Sequence, residues 1–177
     1  PVAMAIDQYG RIYVVSSTTY QGIIVINDDA DFYGFIGAQK VSISALEIIW
    51  RKIQTDEQRS QSEQYVSTEF NNITIDENNF IYVTTSSIDE AKQQSAIRGK
   101  DKKSDYAPVK KLNASGADVM KRNGFYPPSG EIGFSTLSTD TIVGASKVID
   151  CAVGPEGTWS IIDEKRSKVF TYDELKL

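Results

Sequence analysis

One succession of apolar strands and turns occurs three times along the chain. Each copy has an apolar strand, a tight turn, a second apolar strand and, after a gap, a third strand that ends in Asn or Asp. The copies occupy residues 5–27, 73–113 and 151–173. Internal repetition of this kind is typical of architectures in which each unit buries its apolar face by stacking on the next one. The repeat therefore constrains the fold strongly and the ligand only weakly.

The turn between the first two strands of each copy carries Gly or Asn at the equivalent position. These residues are Gly10, Asn79 and Gly157. Gly and Asn tolerate the positive φ that a tight hairpin requires. We therefore predict an antiparallel hairpin in each copy, followed by a third strand. Fourth strands are predicted at residues 31–37 and 118–124.

Four antiparallel strands with tight turns and a long return describe one blade of a β-propeller. We therefore predict an all-β fold, a partial β-propeller of about three four-stranded antiparallel blades. The blades are assigned to residues 1–37, 69–133 and 134–177, and the last is expected to be incomplete. Equivalent positions lie about 70 to 80 residues apart, against roughly 40 in a compact blade, so insertions must account for the difference.

Two segments are predicted to be these insertions. Residues 38–68 are expected to form a helical hairpin, because Ser44 and Glu47 fit a capping box and an apolar stripe follows at helical spacing. The stripe consists of Leu46, Ile49, Trp50 and Ile53. A packing role is favoured for this stripe over a ligand platform. Residues 87–108 are rich in Lys, Gln, Asp and Ser and are predicted to be a long exposed loop within the second blade.

Composition excludes several classes of function. The net charge of −5 gives no field that would attract a nucleic-acid backbone or an anionic membrane, so neither is an expected partner. The chain has no histidine, which removes the usual general base and the commonest transition-metal ligand. No apolar run approaches the length of about 18 residues that a membrane span needs. Cys151 lies within an apolar strand, and we interpret it as a small buried hydrophobe rather than a nucleophile.

The repeated phrase resembles that of the NHL-repeat and gluconolactonase-like β-propellers. It reads Ile-Asp-x-x-Gly-x-Ile-Tyr-Val-Val from Ile6 and Ile-Asp-x-x-Asn-x-Ile-Tyr-Val-Thr from Ile75. Residues 55–76 are also similar to a clostridial-type subgroup of NHL-like proteins. The resemblance implies a propeller fold. It implies no particular activity, because the matching residues are hairpin and core positions.

The gluconolactonase-like branch also implies a candidate metal ligand. Its members hold a divalent cation in the central channel through Glu, Asn and Asp side chains from different blades, and their Asn precedes the Asp of the blade phrase. Asn71 occupies that place, five residues before Asp76, so the resemblance implies that it is a ligand of a cation such as Ca²⁺. This sequence departs from the pattern, since Asn72 replaces a Gly and the acidic ligands have no counterpart. A role for Asn71 in capping the strand entry or lining the channel is favoured.

A second candidate contact with a ligand is the segment 124–130. Its two prolines fix the backbone, and Phe125 and Tyr126 are predicted to contact a ligand at the rim. Together with Asn71 and Asn72, these two aromatic residues make up the predicted ligand-binding set.

The sequence assigns no catalytic residue. Asp7 and Asp76 share a repeat position, but short acids at hairpin turns hydrogen-bond their own backbone, which explains them without any chemistry. Asp140 and Asp150 flank a strand from which they could reach the channel, but the sequence gives neither of them a partner.

The predicted function is a non-catalytic binding or scaffold module that recognises a protein or a small ligand at the rim or in the channel, without a cofactor. Two alternatives stay open. One is a metal-dependent, lactonase-like hydrolase whose remaining ligands lie outside this chain, and the other is a structural assembly module. A three-blade arc leaves sheet edges exposed, and exposed edges pair with other chains. We therefore expect self-association through open blade edges, and we expect the arc to be a segment of a larger propeller.

Overall fold

The structure is a computed structural model that describes residues 1–17, 19, 22–37, 70–86, 88, 107–121 and 146–173. Within these residues, ten β-strands form three antiparallel sheets. The first sheet contains β1 (Ala3–Ile6), β2 (Ile12–Val15), β3 (Ile23–Ile26) and β4 (Phe32–Ile36). The second contains β5 (Phe70–Ile75), β6 (Ile81–Thr85) and β7 (Val109–Leu112). The third contains β8 (Val148–Val153), β9 (Thr158–Asp163) and β10 (Lys168–Asp173).

Each sheet is a meander, because strands that follow one another along the chain pair with one another. The sheets themselves also follow one another in chain order, as the blades of a propeller do. The predicted fold class, an all-β chain of about three antiparallel blades, is therefore confirmed. A short 3₁₀ turn over Pro155–Gly157 joins β8 to β9. None of the helices in the described part of the chain is long and apolar enough to cross a membrane.

Several predictions concern residues outside the described ranges. The helical hairpin at 38–68 lies outside them, as does the loop at 87–108 apart from Ile88, Ala107 and Pro108. The blade boundaries remain predictions.

Four of the turns share one hydrogen-bonding pattern. In each, the N–H of the first residue donates to the carbonyl of the fifth, and the N–H of the fourth donates to the carbonyl of the first. The first residues of these turns are Asp7, Asn27, Asp76 and Asn113. The fourth residue has a positive φ in every case, as a three-residue hairpin loop with a type I turn requires. The predictions for Gly10 and Asn79 are confirmed by φ values of 80° and 60°, and Gly157 in the third hairpin has a φ of 77°.

An Asp or Asn begins these turns because its side chain completes the loop. Oδ1 of Asp7 accepts from the backbone N–H groups of Tyr9 and Arg11, at 2.9 and 3.0 Å. Oδ1 of Asp76 accepts from two N–H groups at the same spacing, both at 2.9 Å. The third hairpin has Gly154 at this position, where a Cβ would lie 2.5 Å from the hydroxyl oxygen of Thr158. The acids of the repeat phrase are therefore turn residues, as predicted.

Two apolar cores hold the three sheets together. The first core lies between the first and second sheets and consists of Tyr13, Val15, Ile23, Val25, Phe70, Ile73, Ile81, Val83 and Leu112. The second lies between the second and third sheets and consists of Tyr82, Val109, Met120, Val148, Cys151, Trp159 and Ile161. Every residue of β6 is buried. Ile81 and Val83 belong to the first core, and Tyr82 between them belongs to the second. The second sheet is thus covered on both faces.

The first strands of the three sheets lie side by side. β1 contacts β5, and β5 contacts β8. We call β1, β5 and β8 the first-strand row. It is the part of the fold where side chains from all three sheets approach one another.

Residues 118–121 are the described part of the predicted fourth strand of the second copy. Among the described residues of segment 118–124, Asp118 makes one isolated bridge with Leu112. Its Oδ1 accepts from the backbone N–H groups of Lys111 and Met120, at 3.3 and 3.1 Å. The carboxylate of Asp118 thus accepts hydrogen bonds from β7 and from its own segment, and joins the two.

Cys151 is buried in the second core, as its apolar strand predicted. Its thiol donates to the carbonyl oxygen of Tyr82 at 3.7 Å. Burial, with a smaller contribution from the charge of Asp150, raises the pKa of Cys151 to about 12. A thiol in this setting stays protonated and packs as a hydrophobe.

Candidate functional site

Asn71 and Asn72, two residues of the predicted binding set, lie on β5 in the first-strand row. The pairing of β5 with β6 shifts between Phe70 and Asn72. The pairing of β8 with β9 shifts in the same way between Val148 and Asp150. Such irregularities re-aim side chains that a regular strand would place on alternate faces. Both asparagines are thereby able to reach β8.

Asn71 hydrogen-bonds with both ends of its side-chain amide. Its Nδ2 donates to the backbone carbonyl of Val148 at 2.8 Å. Its Oδ1 accepts from the hydroxyl of Thr84 at 2.5 Å. Asn71 and Thr84 belong to the second sheet and Val148 to the third. The side chain of Asn71 therefore links the backbone of the third sheet to a side chain of the second.

Asn72 makes a second link beside the first. Its Nδ2 donates to Oδ1 of Asp150 at 2.6 Å, and its own Oδ1 accepts from the N–H of Ile73 at 2.7 Å. The same Oδ1 of Asp150 accepts from the N–H of Cys151 at 2.7 Å. We call Asn71, Asn72, Thr84, Val148 and Asp150 the inter-sheet junction. The sequence placed Asp150 beside a strand without a partner, and the structure supplies that partner.

The junction offers few of the donor groups that a hard cation needs. Such an ion takes about six or more oxygen ligands, several of them carboxylates. The amide oxygen of Asn71 already accepts from Thr84, and Asp150 is the single carboxylate of the junction. In the described ranges, no group of three or more Asp, Glu, Cys or His side chains is placed to hold a metal. The residues present therefore do not form a cation site by themselves, and metal binding by Asn71 remains a prediction.

The other two residues of the predicted binding set, Phe125 and Tyr126, lie outside the described residues, so their contact with a ligand at the rim remains a prediction. Asp140 also lies outside the described residues.

A buried ion pair in the third sheet was not predicted. Nη1 of Arg166 lies 2.9 Å from Oδ2 of Asp163 and donates to the hydroxyl of Ser146 at 2.7 Å. Burial raises the pKa of Asp163, but hydrogen bonds from Ser146, Arg166 and the N–H of Lys147 outweigh it, and the pKa is lowered overall. The equivalent positions in the other copies hold Ser16 and Thr85. The repeat therefore gave no signal for this pair.

A second buried carboxylate anchors the first hairpin. Oδ2 of Asp7 accepts from Nε of Arg11 at 2.7 Å and from the hydroxyl of Tyr13 at 3.0 Å. Burial raises the pKa of Asp7, but the hydrogen bonds from Arg11, Tyr9 and Tyr13 outweigh it and hold the pKa below its usual value. The carboxylates of Asp7 and Asp163 both stabilise the fold, because each accepts hydrogen bonds from groups within or next to its own sheet.

The first sheet carries an apolar surface on the side away from the second sheet. Strand register places its residues in two rows, each of which crosses all four strands. One row is Met4, Val14, Ile24 and Phe35, and the other is Ile6, Ile12, Ile26 and Phe32. We call these eight residues the outer face. All eight are apolar, and Met4 is 67% exposed.

The two aromatic residues of the outer face contact each other. The ring centroids of Phe32 and Phe35 are 5.1 Å apart in an edge-to-face arrangement. The sequence carried a signal for this surface in β2 and β3, which read Ile-Tyr-Val-Val and Ile-Ile-Val-Ile. Strands with one face in water alternate apolar and polar residues, whereas these strands are apolar on both faces. The pattern therefore indicates a sheet that is covered on both sides.

Comparison with known proteins gives one structural likeness. No protein-family model matches the chain, and no curated protein matches it. A search of solved structures finds selenomethionine-substituted virginiamycin B lyase from Staphylococcus aureus, with a TM-score of 0.43 and 10% sequence identity. The match covers 98% of this chain and 41% of that one, so this chain spans less than half the length of the lyase. The strand pairing alone supports the fold described above.

Proposed function

We propose that this chain is a non-catalytic protein-binding module of the β-propeller type and that the outer face of its first sheet is a binding surface. Its assignment to the NHL-like or gluconolactonase-like propellers rests on the repeated phrase and is part of the proposal. The observation that carries the proposal is the outer face itself, which has eight apolar residues in two rows that cross the whole sheet.

Physical chemistry supports a covered outer face. Soluble proteins rarely leave contiguous apolar patches larger than a few hundred Å² in water, and larger ones mark sites of interaction. Burial of apolar surface contributes about 25 cal/mol per Å², so a partner that covers this sheet gains substantial free energy. Both rows contain a Phe, and aromatic residues are enriched at the centres of protein interfaces. A sheet face with these properties suits a protein partner better than a small polar ligand.

A photochemical label on the outer face tests the proposal. Phe35 is replaced by benzoylphenylalanine, which keeps the aromatic ring in its place, and the protein is irradiated in the cells that produce it. We expect a covalent adduct of defined mass. The matched control carries the same label at Tyr9, an exposed aromatic residue of the first hairpin that lies outside the outer face. Equal labelling from both positions, or no adduct from Phe35, would contradict a binding role for this surface.

The lactonase-like hydrolase makes a different prediction. A cation at Asn71 must compete with Thr84 for the amide oxygen, because that oxygen already accepts a hydrogen bond of 2.5 Å. The hydrolase alternative therefore expects that Ca²⁺ raises the melting temperature of the wild-type protein and not that of Asn71→Ala. If the chain is a binding module without a cation, Ca²⁺ should raise the melting temperature of neither protein. Thermal denaturation with and without millimolar Ca²⁺ separates the two.

A further inference from the structure

We propose that the outer face of the first sheet binds the third sheet of a second copy of this chain, so that the sheets of two copies form one continuous series. This inference rests on the proposed function, and it assigns a specific occupant to the binding surface. It differs from association through sheet edges, because the contact is made by the faces of two sheets.

The two internal interfaces use equivalent positions of the repeat. Each copy can be counted from the first residue of its first hairpin turn, which is Asp7, Asp76 or Gly154. In the second and third sheets, the side chains five and seven residues after this origin point toward the preceding sheet. These residues are Ile81 and Val83 in the second sheet, and Trp159 and Ile161 in the third. In the first sheet the same positions are held by Ile12 and Val14, which belong to the outer face. The outer face is therefore the repeat's own packing face, without a preceding sheet among the described residues.

The opposite face of each sheet is also defined by the repeat. The side chains six and eight residues after the same origin point toward the following sheet. In the first sheet these are Tyr13 and Val15, which are buried against the second sheet. Ser160 and Ile162 hold these positions in the third sheet, where Ile162 is 38% exposed. Ala152 is paired with Ser160, and Val169 with Ile162. We call Ala152, Ser160, Ile162, Val169 and Thr171 the trailing face.

The trailing face offers small side chains to the large ones of the outer face. Its five residues are small or aliphatic, and strand register places two carboxylates at its margins, Asp150 opposite Ile162 and Asp173 opposite Thr158. Asp150 is already hydrogen-bonded to Asn72 of its own chain. The hydroxyl groups of Ser160 and Thr171 satisfy each other at 2.8 Å, so they need no water when the face is covered. Small side chains leave room for large ones, and the outer face presents Phe32 and Phe35. A contact between these two faces reproduces the two interfaces that the chain already makes internally.

The contact also closes on itself. If the outer face of one copy packs on the trailing face of its partner, the same contact forms a second time between the remaining two faces. Closed two-fold assemblies are the commonest oligomers of soluble proteins.

Charged substitutions on the two faces test this arrangement. Met4 on the outer face and Val169 on the trailing face are 67% and 64% exposed, so Met4→Arg and Val169→Glu leave the packing of the monomer intact. Sedimentation equilibrium at micromolar concentration should show the wild-type protein at twice its mass of 19.6 kDa. Each substitution alone should weaken the dimer by about 100-fold. Asn78→Arg, in an exposed turn, is the control and should leave the dimer unchanged.

A mixture of the two variants gives the sharpest result. The Met4→Arg copy keeps an intact trailing face, and the Val169→Glu copy keeps an intact outer face. We therefore expect a one-to-one heterodimer in the mixture under conditions in which each variant alone is monomeric. The inference is overturned if the wild-type protein is a monomer, if Val169→Glu remains a full dimer, or if mixing restores nothing. A dimer sensitive only to Met4→Arg would show that two outer faces pack on each other.

The Phe35 label can also distinguish a failure of this inference from a failure of the proposed function. An adduct from the Phe35 label with the mass of two chains agrees with this inference. An adduct of another mass would refute the inference and leave the proposed function standing, whereas the absence of any adduct would remove both.

Discussion

Asn72 and Asp150 are 78 residues apart in the sequence, and the side-chain nitrogen of Asn72 lies 2.6 Å from a carboxylate oxygen of Asp150. The bond joins the first strands of two sheets where each strand has an irregular register. Next to it, Asn71 joins the same two sheets through its amide. These polar links lie beside the apolar core between the second and third sheets and orient one sheet on the other.

Replacement of Asn71 by Ala should destabilise the protein by about 1 to 3 kcal/mol, because it leaves the carbonyl of Val148 and the hydroxyl of Thr84 without this partner. Urea titration at neutral pH measures the loss. Asn78→Ala, in an exposed turn, should stay within about 0.5 kcal/mol of the wild type. In the double variant with Thr84→Val, the loss should be smaller than the sum of the single losses, since both partners of one bond are then absent. Additive losses would show that the Asn71–Thr84 bond contributes nothing.

Stability should decrease in acid through Asp7 and Asp163. The pKa of each carboxyl is lowered below its usual value of 3.8, so each contributes stability above pH 3.8 that is lost as the pH falls toward the folded-state pKa. Asp163→Asn should be less stable than the wild type at pH 7 and should lose less stability between pH 4 and pH 2. Guanidinium titrations at several pH values check this. A variant with the full acid dependence of the wild type would assign that dependence to other groups.

Gly116 should be the least replaceable of the turn glycines. A Cβ on Gly116 would lie 2.3 Å from the backbone nitrogen of Gly37, and its φ is 79°. Gly116→Ala should therefore cost more than the penalty of about 1 to 2 kcal/mol for a left-handed residue alone. Gly10→Ala is the matched control, since Gly10 has a φ of 80° and its new Cβ would lie 3.2 Å from the Cβ of Asp28. Equal losses of thermal stability in the two variants would argue against the close contact at Gly37.

Cys151 should react with thiol reagents only after unfolding. It is buried, and its pKa of about 12 leaves almost no thiolate at neutral pH. We expect Ellman's reagent to label the native protein at a rate set by unfolding and to label the protein in urea at once. Rapid labelling of the native protein would mean that the second core opens without global unfolding.

The strands and turns of this fold are predictable from the sequence because they depend on local chemistry. Asp at the start of a turn and Gly or Asn at its fourth residue determine the hairpins at Asp7 and Asp76, and short apolar runs identify the strands around them.

The inter-sheet junction was not predictable in the same way. A family resemblance made Asn71 a candidate ligand. Its actual partners depend on register irregularities in two strands that are far apart in the sequence. Asp163 and Arg166 have no counterpart in the other copies, so the repeat gave no indication of the buried pair. Contacts that break the repeat need the three-dimensional structure.

The alternation of β6 between the two cores has a consequence for how the chain unfolds. Repeat proteins often lose their units one at a time, because each unit contacts only its neighbours. Here Tyr82 belongs to one core while Ile81 and Val83 belong to the other, so neither core can be lost without exposing the same strand. The three sheets should therefore melt together in a single cooperative transition, and the amide protons of β6 should be among the last to exchange with water.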